Sequence, residues 1–213
     1  MLLDKCTKKP KFRGMNSSFE HYIPPAAVPW IQQLMEAHQV VLKIVHERHT
    51  RHGDYRRYPD GRQQITVNDS LNTYQFLITL VHEIAHLVTY EKYGRAVAPH
   101  GKEWKYTFQH LMLPLIRPSV FPEALLPYLA AYFKNPKASS DTDARLSKAL
   151  CAYSPKNDQH EHLSDVAVGT RFIYRDTRIF EKGQRVVKRY RCMELSSGKI
   201  YLFPPHALVK PVS

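Results

Sequence analysis

Residues 72–108 read NTYQFLITLVHEIAHLVTYEKYGRAVAPHGKEWKYTF, and the rest of the fold is read outward from them. Asn72 carries a helix N-cap side chain. Gln75, three residues on, completes a capping box in which each side chain serves the other residue's backbone N–H. Leu77, Val81, Ile84, Ala85 and Val88 follow at three- and four-residue spacing, the period of one helical face, and Gly94 supplies the stop. The spacing predicts a long helix up to Gly94. A second helix is predicted over Lys102–Met112, entered through a turn marked by Pro99 and Gly101.

His82-Glu83-Ile84-Ala85-His86 sits in the middle of the first of these helices. Residues four apart stack on one helical face, so both imidazoles can reach a single metal ion. Glu83 is the next residue after the first histidine and projects beside such an ion. A bound zinc lowers the pKa of water to about 7, and an adjacent carboxylate can then take the proton and pass it to a leaving amine. The placement argues against a chance surface pattern, because unpartnered polar groups in an apolar helix are costly. A catalytic zinc needs a third protein ligand and an open fourth position. One familiar spacing would put a histidine six residues after His86, where the chain has Lys92. Glu103 and His110 are alternatives. His100, fourteen residues past His86 in APHGKEW, is favoured because a turn at a helix entrance can face back to the site.

The flanking segments predict smaller elements. Pro24, Pro25 and Pro29 set up a short amphipathic helix carrying Trp30, Leu34 and Met35. Val41, Leu42, Ile44 and Val45 predict a strand over roughly 40–49. Pro59-Asp60-Gly61 is turn chemistry, and Gln64–Asn68 reads as a returning strand with Ile65 and Val67 on one face, giving a small antiparallel sheet. Residues after Met112 predict a proline-punctuated helical stretch through Phe133. Residues 135–163 read as a polar linker with one short helix near Asp143–Ala152. In the last fifty residues the period changes: Arg171–Tyr174, Gln184–Cys192 and Ile200–Phe203 read as strands, with Gly169, Gly183 and Gly198 at or near their turns. The expected organisation is a disordered basic lead over 1–19, a core over 20–135, a linker over 136–163 and a small β barrel or sheet over 164–213.

Composition bounds the function classes. The chain has 213 residues, 43% hydrophobic and 23% charged, which is ordinary globular composition and excludes wholesale disorder. No apolar run approaches the ~18 residues a membrane span needs. Cys6, Cys151 and Cys192 form no CxxC pair, which argues against a disulfide scaffold and a cysteine-built zinc ribbon. The basic N-terminus lacks the apolar stretch of a secretory signal. These features read as a soluble cytoplasmic protein. With 31 Lys and Arg against 19 Asp and Glu, the net charge of +12 attracts polyanions, so DNA is an expected partner and nucleoid association an expected location. Arg185, Lys188, Arg189 and Arg191, interleaved with Val186, Val187 and Tyr190, are the candidate nucleic-acid contacts, with Tyr190 or Tyr174 for stacking. His46, His49 and His52 alternate with Arg48 and Arg51 and read as a charged edge rather than a second metal site.

The stretch VHEIAHLVTYEKYGRAVAPHGKEWKYTF, with HExxH followed by a late His-Gly and an aromatic helix, resembles the SprT family of zinc metallopeptidases, to which the DNA–protein crosslink protease Spartan also belongs. GRQQITVNDSL, residues 61–71, resembles the strand-plus-Asn segment that precedes the metal helix there. The resemblance covers about residues 25–135. It implies an α+β, zincin-like minimal metalloprotease core with zinc held by His82, His86 and His100, and Glu83 as general base acting on a protein or peptide substrate. An extended substrate would pair with the strand around Ile65–Asn68. Tyr55, Tyr58, Tyr90, Tyr93 and several arginines are available as oxyanion donors, with no choice among them. Many family members carry a cysteine-rich ribbon after the core, whereas Cys192 stands alone in RYRCMELSSGKIYLF, so the β module is expected to fold without a metal. The competing reading is a non-catalytic nucleic-acid-binding protein with a structural zinc site.

Overall fold

The computed structural model describes residues 19–48, 51–137, 143–154, 160–174 and 177–212. The basic lead expected over 1–19 therefore lies almost wholly outside the described residues, and His49 does too. Helix α1, Val28–Ala37, buries Ile31, Leu34 and Met35 on one face. Strands β1 (Val40–Val45), β2 (Gly53–Arg57) and β3 (Gln63–Asn68) follow, and then helix α2, Thr73–Tyr93. The Asn72–Gln75 capping box forms as expected: the Asn72 side chain accepts the Tyr74 and Gln75 N–H groups while Gln75 accepts the Asn72 N–H. Gly94 closes the helix at φ 62°, a backbone region that favours glycine. Phe76, Leu77, Leu80, Val81, Ile84, Ala85 and Leu87 of α2 are fully buried. At roughly 1.5–3 kcal/mol per large apolar side chain, this face holds α2 rigidly against the sheet.

The three-stranded sheet corrects one expectation. Its order is β1-β3-β2; β1 runs parallel to β3, and only β2 is antiparallel to it. The sheet is mixed, and Ile65 and Val67 of β3 lie in its buried centre. Strand β2, GDYRR, is the element that pattern reading missed. It is a half-exposed edge with no apolar alternation to reveal it, so its charged residues read as turn. Helix α2 packs against β2 and β3.

Helices α3 (Lys102–Met112) and α4 (Leu126–Phe133) complete the first layer. Helix α5, Ala144–Cys151, is capped by the Asp143 side chain and lies in the segment expected as linker; its Leu146 and Leu150 are buried in the same core as α2. Asn72 ties the two helices together by donating to the Leu150 carbonyl.

A second hydrophobic core is built from Leu163, Phe172, Phe180, Cys192, Phe203 and Val209, with smaller neighbours. It underlies a six-stranded sheet: β4 (Glu161–His162), β5 (Arg171–Tyr174), β6 (Arg178–Val186), β7 (Arg189–Glu194), β8 (Ile200–Phe203) and β9 (Leu208–Val212), in the order β4-β9-β5-β6-β7-β8. The single strand expected over Gln184–Cys192 is a hairpin. The chain reverses at Val187, which takes φ 53° and is exposed, and no glycine or asparagine marked the turn. Gly183 marks no turn either. It lies inside β6 at a bulge, where a Cβ would stand 2.5 Å from the Arg191 carbonyl oxygen. The observed class is α+β, as expected. Among the described residues no helix is long and apolar enough to cross a membrane.

Candidate metal centre

Helix α2 offers His82 and His86 one turn apart on the face opposite its apolar stripe. The third imidazole comes from the loop before α3. His100 takes φ 59°, a left-handed conformation costing a non-glycine residue about 1 kcal/mol or more, and Gly101 then caps α3. A Cβ at Gly101 would meet the Ala98 carbonyl oxygen at 2.9 Å, so the tight turn that aims His100 backward needs glycine next to it.

The three Nε2 atoms converge. They lie 3.1 Å (His82–His86), 2.9 Å (His86–His100) and 3.2 Å (His82–His100) apart. Bonds of about 2.05 Å to one tetrahedral ion would space them by roughly 3.3 Å, so the donor set fits zinc closely. Their orientation is held from below by Trp104, whose ring stacks on His86 at 5.3 Å and lies 4.6 Å from His82 and 4.7 Å from His100. Burial, reinforced by His86 and His100, pushes His82 down to about 2, and burial with His100 pushes His86 down to about 4. Burial lowers His100 as well. All three rings are neutral near pH 7 and present lone pairs to one point, an arrangement that a shared cation relieves. Among the described residues these three are the one group of His, Cys, Asp or Glu side chains close enough to hold a metal ion.

Glu83 does not join that group. Its carboxyl turns toward β2, where a Cβ on Gly53 would come within 2.7 Å of its Oε1, and it accepts the backbone N–H of Tyr55. Burial, with the nearby Asp54 charge, pushes Glu83 up to about 8, against the pull of that N–H and of Arg48 and Arg51. Its base is an edge strand with a glycine at the point of closest approach. Neither feature carried a pattern that would flag it beforehand, beyond a glycine set between charged residues in RHGDYRR.

The other candidates disperse. Glu103 lies 3.7 Å from Lys102 Nζ, and the His110 Nδ1 pairs with the Tyr106 carbonyl on an exposed face. His46 pairs with Asp69, fully exposed. Of the four tyrosines, Tyr55 and Tyr90 line the cleft over the triad, whereas Tyr58 and Tyr93 do not. Tyr55 donates its hydroxyl to Gln63 Oε1 at 2.5 Å, and burial raises it to about 12. The strand expected to receive substrate cannot do so: β3 is already paired on both sides, and the free edge beside Glu83 is β2.

The cleft, about 2170 Å³, has two walls. One carries the triad, Glu83 and β2. The other includes His160, His162, Tyr174, His206 and Leu208 of the C-terminal sheet, a contribution absent from the sequence reading. Arg185, Lys188, Arg189 and Arg191 are exposed on the β6–β7 hairpin and do not line the cleft. Tyr190 is half-buried with Lys182 Nζ 4.0 Å from its ring centre, and Tyr174 packs edge-on against Phe203, so neither is a free stacking platform.

Residues 29–118 match the model of the SprT-like family. Among curated relatives, the Protein SprT of Yersinia enterocolitica is 52% identical over 31 residues, 15% of this chain and 18% of that protein. That of Vibrio parahaemolyticus is 52% identical over 46 residues, 20% and 27% of the two chains. That of Klebsiella pneumoniae is 40% identical over 55 residues, 24% and 32%. The matched segments thus span less than a third of those relatives' length. No solved structure matches the chain.

Proposed function

With residues 29–118 constituting an SprT-like domain, we propose that this protein is a zinc-dependent endopeptidase that cuts extended protein segments. The observation carrying this reading is the meeting of three neutral imidazole Nε2 atoms within 3.2 Å of one another, beside a buried carboxyl that is not itself a ligand. His82, His86 and His100 would hold the ion. When bound, zinc supplies Lewis acidity, acidifying water and polarising a carbonyl.

The chain's own residues do the rest. In its carboxylate form Glu83 would take a proton from the attacking water and deliver it to the departing amide nitrogen. The Tyr55 N–H fixes the carboxyl's direction, and Gly53 leaves it room. The edge of β2 pairs with the substrate backbone, so an unfolded or extended segment is required. Trp104 and Phe108 beneath the imidazoles exclude water from the back of the site.

The test is metal analysis and cleavage of an unfolded protein by the parent and by Glu83→Gln. The proposal expects one zinc in each and cleavage only by the parent; full activity in Glu83→Gln would refute it. A second reading, a nucleic-acid-binding protein with an architectural metal, draws on the net charge of +12 and the exposed hairpin cluster Arg185, Lys188, Arg189 and Arg191. It expects DNA affinity that falls steeply with salt and no cleavage of free or DNA-bound proteins. Both activities together would point to substrates held near DNA.

A further inference from the structure

The six-stranded sheet carries apolar side chains on both faces. Its inner face is the second core. The register places a second set of side chains on the opposite face in cross-strand rows: Arg171, Glu181, Met193 and Ile200 in one, Ile173 and Ile179 in the next, Arg191 and Leu202 in a third. Ile179, Ile200 and Leu202 are 42%, 49% and 54% exposed, and Met193 and Leu195 are also open. Scattered exposed aliphatics need no explanation, but neighbours across three adjacent strands form one patch. Its margin is basic, from Arg171, Arg191 and Lys199, and the Glu181 carboxylate stands across from Arg171 in the register.

The patch ends on an open edge. Strand β8 pairs with β7 alone among the described strands. Its residues, Ile200-Tyr201-Leu202-Phe203, include no charge, proline or bulge, the devices by which edges usually repel further strands.

We infer that the β8 edge and the aliphatic face beside it dock an extended, acidic segment of a partner protein, added as a further strand with its aliphatic side chains over Leu202 and Ile200. Charge selects this occupant. From Ser164 onward ten Lys and Arg stand against four Asp and Glu, so a second copy of the chain would bring like charges together. Nucleic acid would satisfy the charge but not the surface: sequence-tolerant binding of single strands uses exposed aromatic rings. On this sheet Tyr174, Tyr190 and Tyr201 all turn to the inner core. An acidic strand with alternating aliphatic residues meets both the main-chain edge and the face.

The test titrates the full-length metal-loaded protein, by fluorescence anisotropy, with three labelled probes. They are an octapeptide alternating Glu with Val and Ile, its Lys-for-Glu counterpart, and an oligothymidine of about 20 nucleotides. The acidic peptide is expected to bind at least about tenfold more tightly than the basic one, and Leu202→Glu to weaken it about tenfold. Leu202→Asn, a milder change at an exposed site, should weaken it about threefold while near-ultraviolet circular dichroism stays unchanged. Equal binding of the two peptides overturns the inference. So does acidic-peptide binding that survives both substitutions, which would place the peptide in the cleft. Oligothymidine binding that disappears with Leu202→Glu overturns it in favour of nucleic acid.

Discussion

Glu83 in the metal-helix half and Lys182 in the β module are both buried charged side chains, and the two are treated in opposite ways. Lys182 in the β module is 3% exposed and its ammonium is fully engaged. It donates to the Leu163 and Val166 carbonyls at 2.6 and 2.5 Å and lies over the Tyr190 ring. Glu83 on the metal helix is 7% exposed and accepts one backbone N–H, with no ion pair among the described residues. A buried charge costs several kcal/mol unless its bonds are made. Lys182 makes its bonds and so pins the turn at 163–166 to the sheet. Glu83 is left short of them at the wall of a cleft, which suits the proton-transfer role proposed for it.

The sharpest way to break this contrast is to neutralise each charge. Glu83→Gln is expected to lower cleavage by about 10²–10⁴-fold with zinc content unchanged; a loss of zinc in parallel would make Glu83 a ligand instead. Lys182→Ala strands two carbonyls in the second core and is expected to cost about 2–4 kcal/mol in denaturant unfolding of the module, with zinc content unchanged. No change in unfolding would mean that Lys182 does not pin the turn.

Two smaller effects sharpen the picture of Glu83. Gly53→Ala puts a methyl where the Glu83 carboxyl now lies, at 2.7 Å from Oε1. It should reduce kcat about tenfold while leaving metal affinity alone, and an unchanged kcat would show that the approach of β2 is not what positions the carboxyl. The smallest effect is on pH dependence of the chelated protein. Glu83 has a folded value of about 8 against an ordinary 4.5, so its contribution to stability is complete below pH 4.5 and is lost as pH rises through 8. The depressed imidazoles work the other way: their contribution is present above 6.5 and lost as pH falls through about 4 for His86. Glu83→Gln should therefore melt a few degrees above the parent at pH 8 and level with it at pH 5, in chelator; an equal gap at both would contradict the assignment.

Legibility in the sequence followed the source of order. Helix α2 was readable from Asn72 to Gly94 because capping, periodicity and termination are all local. The same locality makes His82 and His86 a pair on sight, and the Pro99–Gly101 turn suggests His100. Strand β2 was not readable, since what orders it is pairing with Gln63–Val67 and contact with α2, not its own residues. For the same reason the parallel pairing of β1 with β3 was missed: the hydrophobic pattern says which face is buried but not which way a neighbour runs. The second wall of the cleft depends likewise on distant segments.

The central claim is that three imidazoles, two from α2 and one from a strained turn, form one metal site. Zinc affinity measured by competition with a chromophoric chelator tests it directly on the parent, His82→Ala, His86→Ala and His100→Ala. The expected result is one tight site in the parent and a loss of about 100-fold or more in each variant, His100→Ala included. Parent-like affinity in His100→Ala would contradict it.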